Sequence, residues 1–150
     1  MDMVRLGIGL YGVSASGQKG LRNISTLKTT ILQIQNVPAG DSIGYSRMSY
    51  VKRDSRIAII PIGYADGLDR KLGCGRAYCL VNGRRAPYVG NICMDVCMID
   101  VTDIDCREGD TAIIFGDDLP VTVLSDAVGT IPYEILTGVS ARVKRVYYQD

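Results

Sequence analysis

The sequence predicts a mainly β fold: a small closed or nearly closed β-barrel with two short helices near the C-terminal end. Three observations predict it. Apolar stretches of strand length recur at short spacing, Asn82-Gly83 sits between two of them as a tight-hairpin signal, and only after Pro120 does the pattern turn helical. At 150 residues, 47% hydrophobic and 22% charged, the chain is one globular domain, long enough for a real core.

The opening Val4-Arg-Leu-Gly-Ile-Gly-Leu-Tyr-Gly12 has strand character, and its glycines at 7, 9 and 12 mark close approach by another backbone or a ligand. Ser14 to Asn23, with Gly17 and Gly20, is looser. Ile24 to Val37 is rich in Thr and Ile, alternates through Thr30, Leu32 and Ile34, and ends at the turn Pro38-Ala-Gly-Asp41. Ile57 to Ile62 is continuously apolar, as in a strand buried on both faces. Ala77 to Val81 and Arg84 to Val89 flank the Asn82-Gly83 turn, and Ile92 to Val101 follows as another strand. Glu108-Gly-Asp110 turns into the strand Thr111 to Phe115. Ser125 is placed to cap a short helix ending near Gly129. Thr130 with Pro132 opens a second helix through Tyr133-Glu-Ile-Leu136, stopped by Gly138. Val139 to Tyr148 returns as a strand.

Composition excludes several classes of function. A net charge of +1 gives no reason to expect nucleic acid or an anionic membrane as partner. No apolar run reaches membrane-spanning length and the N-terminus lacks a signal-peptide layout, so the expectation is a cytoplasmic protein or a soluble piece of a longer chain. Five cysteines (Cys74, Cys79, Cys93, Cys97, Cys106) form no CxxC pair and histidine is absent, which argues against a metal site. Cys93 and Cys97 share a face and are conceivable redox partners, but buried reduced thiols are the expected state. Without histidine, acid–base chemistry must fall to Tyr, Lys, Cys or carboxylates. Two tyrosines stand out. Tyr45 and Tyr64 each follow a glycine, a step at which backbone can turn and leave a phenol projecting, although packing alone accounts for many such tyrosines.

Four segments in this order resemble the C-terminal part of the alanine racemases, enzymes that use pyridoxal 5'-phosphate. They are Val4 to Gly12, Gly44-Tyr-Ser46, Pro61-Ile-Gly-Tyr-Ala-Asp-Gly67 and Gly90-Asn-Ile-Cys-Met-Asp95. A fifth, Ile131-Pro-Tyr-Glu134 running into Ser140-Ala-Arg-Val-Lys-Arg145, also fits. The resemblance implies that residues 1–12 are the end of a preceding barrel domain, its last strand, and that 13–150 form the C-terminal β-barrel domain. It implies a homodimer in which each active site combines both subunits. This domain would then contact the N-terminal barrel domain of its own chain and that of a second subunit. Tyr45 would be the catalytic base on one face of the α-carbon of alanine, with a barrel lysine serving the other face.

By the same resemblance Arg5 faces the cofactor's pyridine nitrogen, and the backbone N–H groups of Gly7 and Ile8 with the Tyr133 hydroxyl bind its phosphate. Met94 binds the substrate carboxylate through its backbone N–H, while Tyr64 and Asp95 border the substrate entrance. A surface role for Arg5 and a packing role for Tyr133 stand beside these readings. Asp66 is better suited to stabilising the turn after Tyr64 than to chemistry. The chain departs from the family in having lysine where proline is common in Val143-Lys-Arg145, and again at residues 46 to 49. Those differences bear on loop geometry, not on Tyr45.

No segment has the pattern of a (β/α)₈ barrel, which needs on the order of 250 residues. None of Lys19, Lys28, Lys52, Lys71 and Lys144 is placed as a cofactor lysine. The chain alone is therefore expected to be inactive and not to hold the cofactor. Two other readings are a racemase domain for serine or for several small amino acids, and a non-catalytic β-barrel ligand-binding module.

Overall fold

Nine strands and two helices account for the regular structure of a computed structural model that describes residues 3–14, 20–45 and 49–148. The strands are β1 (Leu27–Thr30), β2 (Gln33–Val37), β3 (Ser42–Ile43), β4 (Ser49–Tyr50), β5 (Ser55–Ile60), β6 (Tyr78–Val81), β7 (Arg84–Val89), β8 (Cys97–Asp100) and β9 (Thr111–Phe115). Helices α1 (Val121–Val128) and α2 (Pro132–Gly138) follow. Seven strands form one sheet in the order β1-β9-β6-β7-β8-β5-β2, every neighbouring pair antiparallel, and β3 pairs with β4 separately.

The sheet curls because its two edge strands are consecutive in the chain. β1 lies on β9 and β2 on β5, and only Ile31 and Leu32 separate them. At the bend Ile31 donates its N–H to the Asp110 carbonyl (2.9 Å), while Leu32 donates to Ile59 (2.8 Å). One bent segment thus serves both rims. Because β1 and β2 meet end to end and not side by side, no ladder closes the cylinder. The architecture is an open half-barrel with two helices near its C-terminal end, which bears out the mainly β expectation and corrects that of a closed or nearly closed barrel.

The core fills the inside of this curl. Ala58, Ile60, Val81, Ala86, Tyr88, Ile99, Val101, Ala112 and Ile114 are sealed from solvent, and Leu124 of α1 and Ile135 of α2 cap the same cluster. The alternating burial of Cys97, Met98, Ile99 and Asp100 shows the two-residue period that places one face of β8 inward. A smaller cluster, Ile43, Val51 and Ile57, packs with Val37, Val89 and Met98, and holds the β3–β4 hairpin against the sheet.

Several sequence expectations hold. Asn82 (φ 49°) and Gly83 (φ 73°) make the tight turn between β6 and β7, and the Thr- and Ile-rich stretch becomes β1 and β2. The second helix begins at Pro132 as expected. Four expectations fail. Residues 4–12 are not a strand here: 3–7 lack regular structure, Ile8–Tyr11 is a 3-10 turn, and no described strand lies beside them to pair. β8 starts only at Cys97, because the Cys93 and Met94 carbonyls bond to residues outside the sheet. Helix α1 starts four residues before Ser125, whose hydroxyl is buried and donates to the Thr122 carbonyl (3.0 Å) instead of capping. Residues 139–148 have no strand partner and no regular structure. Gly17, Lys19 and residues 46–48 lie outside the described residues.

All five cysteines are free, and Cys79, Cys97 and Cys106 are buried. Burial pushes the Cys79 thiol from an ordinary 9.0 up to about 12, and pushes the Cys97 thiol up as well. A raised pKa means that the folded state keeps a proton which the unfolded chain has already lost. The stability these thiols contribute is complete below pH 9 and is lost as pH rises toward 12. Denaturant midpoints should therefore fall between about pH 8 and about pH 10.5, and Cys79→Ala should flatten that fall while lowering the starting value by about 1 kcal/mol.

Candidate active site

Two glycines place the two tyrosines, by different means. Gly44 has φ +75°, and a Cβ there would meet the Met98 methyl at 3.2 Å, so the β3–β4 hairpin turns sharply against β8. Ile43 anchors the turn from below, and Asn91 Nδ2 donates to the Tyr45 carbonyl at 3.4 Å. The backbone of Tyr45 is held while its side chain remains 74% exposed. Gly63 is extended, and its constraint is space. A Cβ would lie 2.3 Å from the Met94 carbonyl oxygen and 2.4 Å from that of Cys93.

That close approach lets two loops bond directly. Tyr64 N–H donates to the Cys93 carbonyl and Ala65 N–H to that of Met94, each at 3.0 Å. The Tyr64 turn is then tightened from within: Asp66 accepts from the Gly63 N–H through Oδ2 (2.8 Å) and is nearly buried. As expected, Asp66 is a turn-stabilising residue. Its Oδ1 accepts from Arg142 Nε at 2.6 Å, and another Arg142 nitrogen pairs with Asp95. These two carboxylates hold the Arg142 pKa above its already high ordinary value.

The outcome is an open groove of about 700 Å³ lined by Tyr45, Tyr64, Arg70, Asn91, Cys93, Met94 and Asp95, among others. Four sequence-predicted residues, Tyr45, Tyr64, Met94 and Asp95, therefore share one concavity although they come from three separate loops. It offers two phenols, a guanidinium, a carboxamide and a carboxylate, a set suited to a small zwitterion rather than to an apolar ligand. Arg70 was not singled out by the sequence. It opens the 3-10 turn Arg70–Leu72, capped by Asp69 and anchored by buried Leu72, and no motif marks it. Asn91 and Arg142 lie inside segments that carried the resemblance but were given no role there.

Gly7 and Tyr133 meet elsewhere. A Cβ on Gly7 would lie 3.2 Å from the Tyr133 hydroxyl, so any side chain at position 7 would crowd that oxygen. Ile8, buried, begins the 3-10 turn whose first N–H groups have no acceptor within the turn, and Tyr133 stands in the first turn of α2. Backbone amides beside a phenol O–H make a donor cradle that fits a phosphate ester. Arg5 is exposed ahead of this cradle. Neither Gly7 nor Tyr133 lines the groove, so the predicted residues fall into two groups on one domain.

The chain is thus an open antiparallel-sheet domain that carries a polar groove built from loops and, apart from it, a close Gly7–Tyr133 pair. The profile described as "Alanine racemase, C-terminal domain" matches residues 24–147, and the chain belongs to that family. It is 43% identical to alanine racemase 1 of Caldanaerobacter subterraneus subsp. tengcongensis, across 100% of this chain and 41% of that protein. It is 42% identical to the alanine racemase of Mycobacterium tuberculosis, across 97% of this chain and 40% of that protein. The structure of alanine racemase from Bartonella henselae with covalently bound pyridoxal phosphate superposes with a TM-score of 0.90 at 37% identity, over 95% of this chain and 40% of that one. The chain thus spans about two fifths of the length of these relatives.

Gly63 should be the least replaceable residue of the groove. Gly63→Ala forces the Met94 loop away and should cost about 1–3 kcal/mol in denaturant unfolding. Gly138→Ala, whose Cβ would meet only the Gly67 carbonyl at 3.9 Å, should change stability by less than about 0.5 kcal/mol.

Proposed function

We propose that this domain supplies one part of the active site of a pyridoxal-phosphate-dependent alanine racemase, interconverting L- and D-alanine. The observation that carries the reading is the meeting of Tyr45, Tyr64, Met94 and Asp95 in one groove, in a chain of this family. When bound, pyridoxal phosphate supplies a sink for the electrons left on the α-carbon. This chain's residues would bind, orient and exchange protons around that carbon.

Tyr45 is the proton-transfer residue in this reading. Racemisation needs an acid and a base on opposite faces of the α-carbon, and Tyr45 serves one face while a lysine of the barrel domain serves the other. A free phenol has a pKa of about 10, so Tyr45 needs cations nearby to act as a base at neutral pH. In this reading a second subunit's barrel supplies them. The strong exposure of Tyr45 supports a partner-facing role, since little of the described domain covers the ring.

Met94 takes the substrate carboxylate on its backbone N–H. Tyr64 narrows the entrance beside it, and its position is set by the two hydrogen bonds from residues 64 and 65 to the 93–94 carbonyls. The Gly7 and Ile8 amides with Tyr133 hold the cofactor phosphate. Arg5, always protonated, donates a hydrogen bond to the ring nitrogen and gives it no proton. In this reading the phosphate cradle and the groove serve different active sites of a homodimer, which agrees with their being formed by separate sets of residues. The start of the chain, exposed and apolar at Met3, Val4 and Leu6, is in this reading the segment that joins the barrel domain.

In the full-length enzyme carrying this domain, Tyr45→Phe should lower kcat for racemisation by roughly 10²- to 10⁴-fold and leave cofactor absorbance intact. Unchanged turnover would remove Tyr45 from the mechanism. The purified 150-residue chain mixed with pyridoxal phosphate should show no lasting shift of the cofactor's near-ultraviolet to violet absorbance and no racemisation.

A further inference from the structure

Arg142 is absent from the groove's lining, yet it touches both of the loops that form the groove. Its Nε bonds Asp66 in the Tyr64 turn, and a terminal nitrogen bonds Asp95, the neighbour of Met94. One planar guanidinium therefore ties the loop that carries the gate tyrosine to the loop that carries the carboxylate-binding amide. A lysine ammonium is a point donor on a flexible stem and cannot span two carboxylates in fixed geometry. Arg142 is brought there by a segment without regular structure, residues 139–145, which is itself pinned by one long-range and one local bond. Ser140 N–H donates to the Asp66 carbonyl (3.0 Å), and Arg145 donates to the Val139 carbonyl (3.0 Å).

Charge makes the placement matter for function. Asp95 brings a negative charge to the wall of a groove read as receiving a carboxylate, and Asp66 brings a second into the turn that carries Tyr64. Arg142 pairs with both, and Arg70 is the cation that lines the groove itself. Without Arg142, no cation among the described residues pairs with Asp95 at the groove wall, and of the described donors Asp66 keeps the Gly63 N–H. Half-exposed ion pairs such as this add little to stability, so the more telling consequence is electrostatic and geometric.

We propose that Arg142 is a positioning residue for the substrate carboxylate: it locks the Met94 loop against the Tyr64 turn and cancels the two carboxylates that would repel an anionic group there. This rests on the racemase reading above.

The test uses the full-length enzyme carrying this domain, with kcat and KM for L-alanine measured at low and high salt alongside thermal unfolding and cofactor absorbance. Arg142→Gln should raise KM about tenfold while kcat falls less than about threefold, and the KM increase should shrink as salt screens Asp95 and Asp66. Arg142→Lys restores charge without the bridge and should sit between the wild type and Arg142→Gln. Adding Asp95→Asn to Arg142→Gln removes the uncompensated charge and should recover part of the KM. A fall in Tm or in active fraction with an unmoved, salt-insensitive KM would mean that Arg142 is only structural, and would overturn the proposal. If Arg142→Gln does not fold, Arg142→Lys decides by the same KM criterion. A wild-type enzyme that does not racemise alanine would instead sink the racemase reading itself, a result distinct from either Arg142 outcome.

Discussion

The contact between Gly63 and the carbonyls of Cys93 and Met94 is the constraint on which the rest of the groove depends. The two backbones approach closer than any side chain permits. Only then can Tyr64 and Ala65 donate to those carbonyls, and only then do Tyr64, Met94 and Asp95 face one space. The same contact shortens β8, because carbonyls that bond to a neighbouring turn are unavailable to a sheet ladder. Asp66 then ties its turn to Arg142 and, through it, to the polypeptide beyond α2. A single crossing of two backbones thus governs turn, strand length and side-chain placement together.

Much of the fold was legible in the sequence because its signals are local. Asn82-Gly83 needs left-handed backbone at both positions, and few residue pairs other than Asn-Gly supply it readily. Pro132 marks a helix start for the same kind of reason. What misled was pattern without a partner. Residues 4–12 and 139–148 have apolar, strand-like composition, but a strand needs a neighbour and none of the described strands lies beside them. Ser125 resembled a cap, whereas its hydroxyl can satisfy itself inside a helix by bonding to Thr122. The half-barrel in place of a closed one follows from a bend at Ile31 and Leu32, and no residue type announces a bend of that kind.

The groove divides along similar lines. Tyr45, Tyr64, Met94 and Asp95 were identified through an ordered set of motifs, and their chain positions alone would not have shown that they converge. Arg70 escaped notice because a lone arginine after a turn has no signature. Arg142 lies in a segment whose pattern points to the family and to no role for this residue, and its reach across to residue 66 is a tertiary fact. Periodicity and turn chemistry report on neighbours in sequence, while a guanidinium spanning two loops reports on the finished fold.

The span between Asp66 and Arg142 also bears on how the protein is made. Seventy-six residues separate the partners, and β1 likewise cannot find β9 until most of the domain has emerged. On a ribosome that delivers roughly 5–20 residues each second, Tyr64 and Met94 leave the exit tunnel seconds before the strap that braces them. The groove therefore reaches its working geometry only once residue 142 has emerged. The segment beyond α2 is the one that sets it in place.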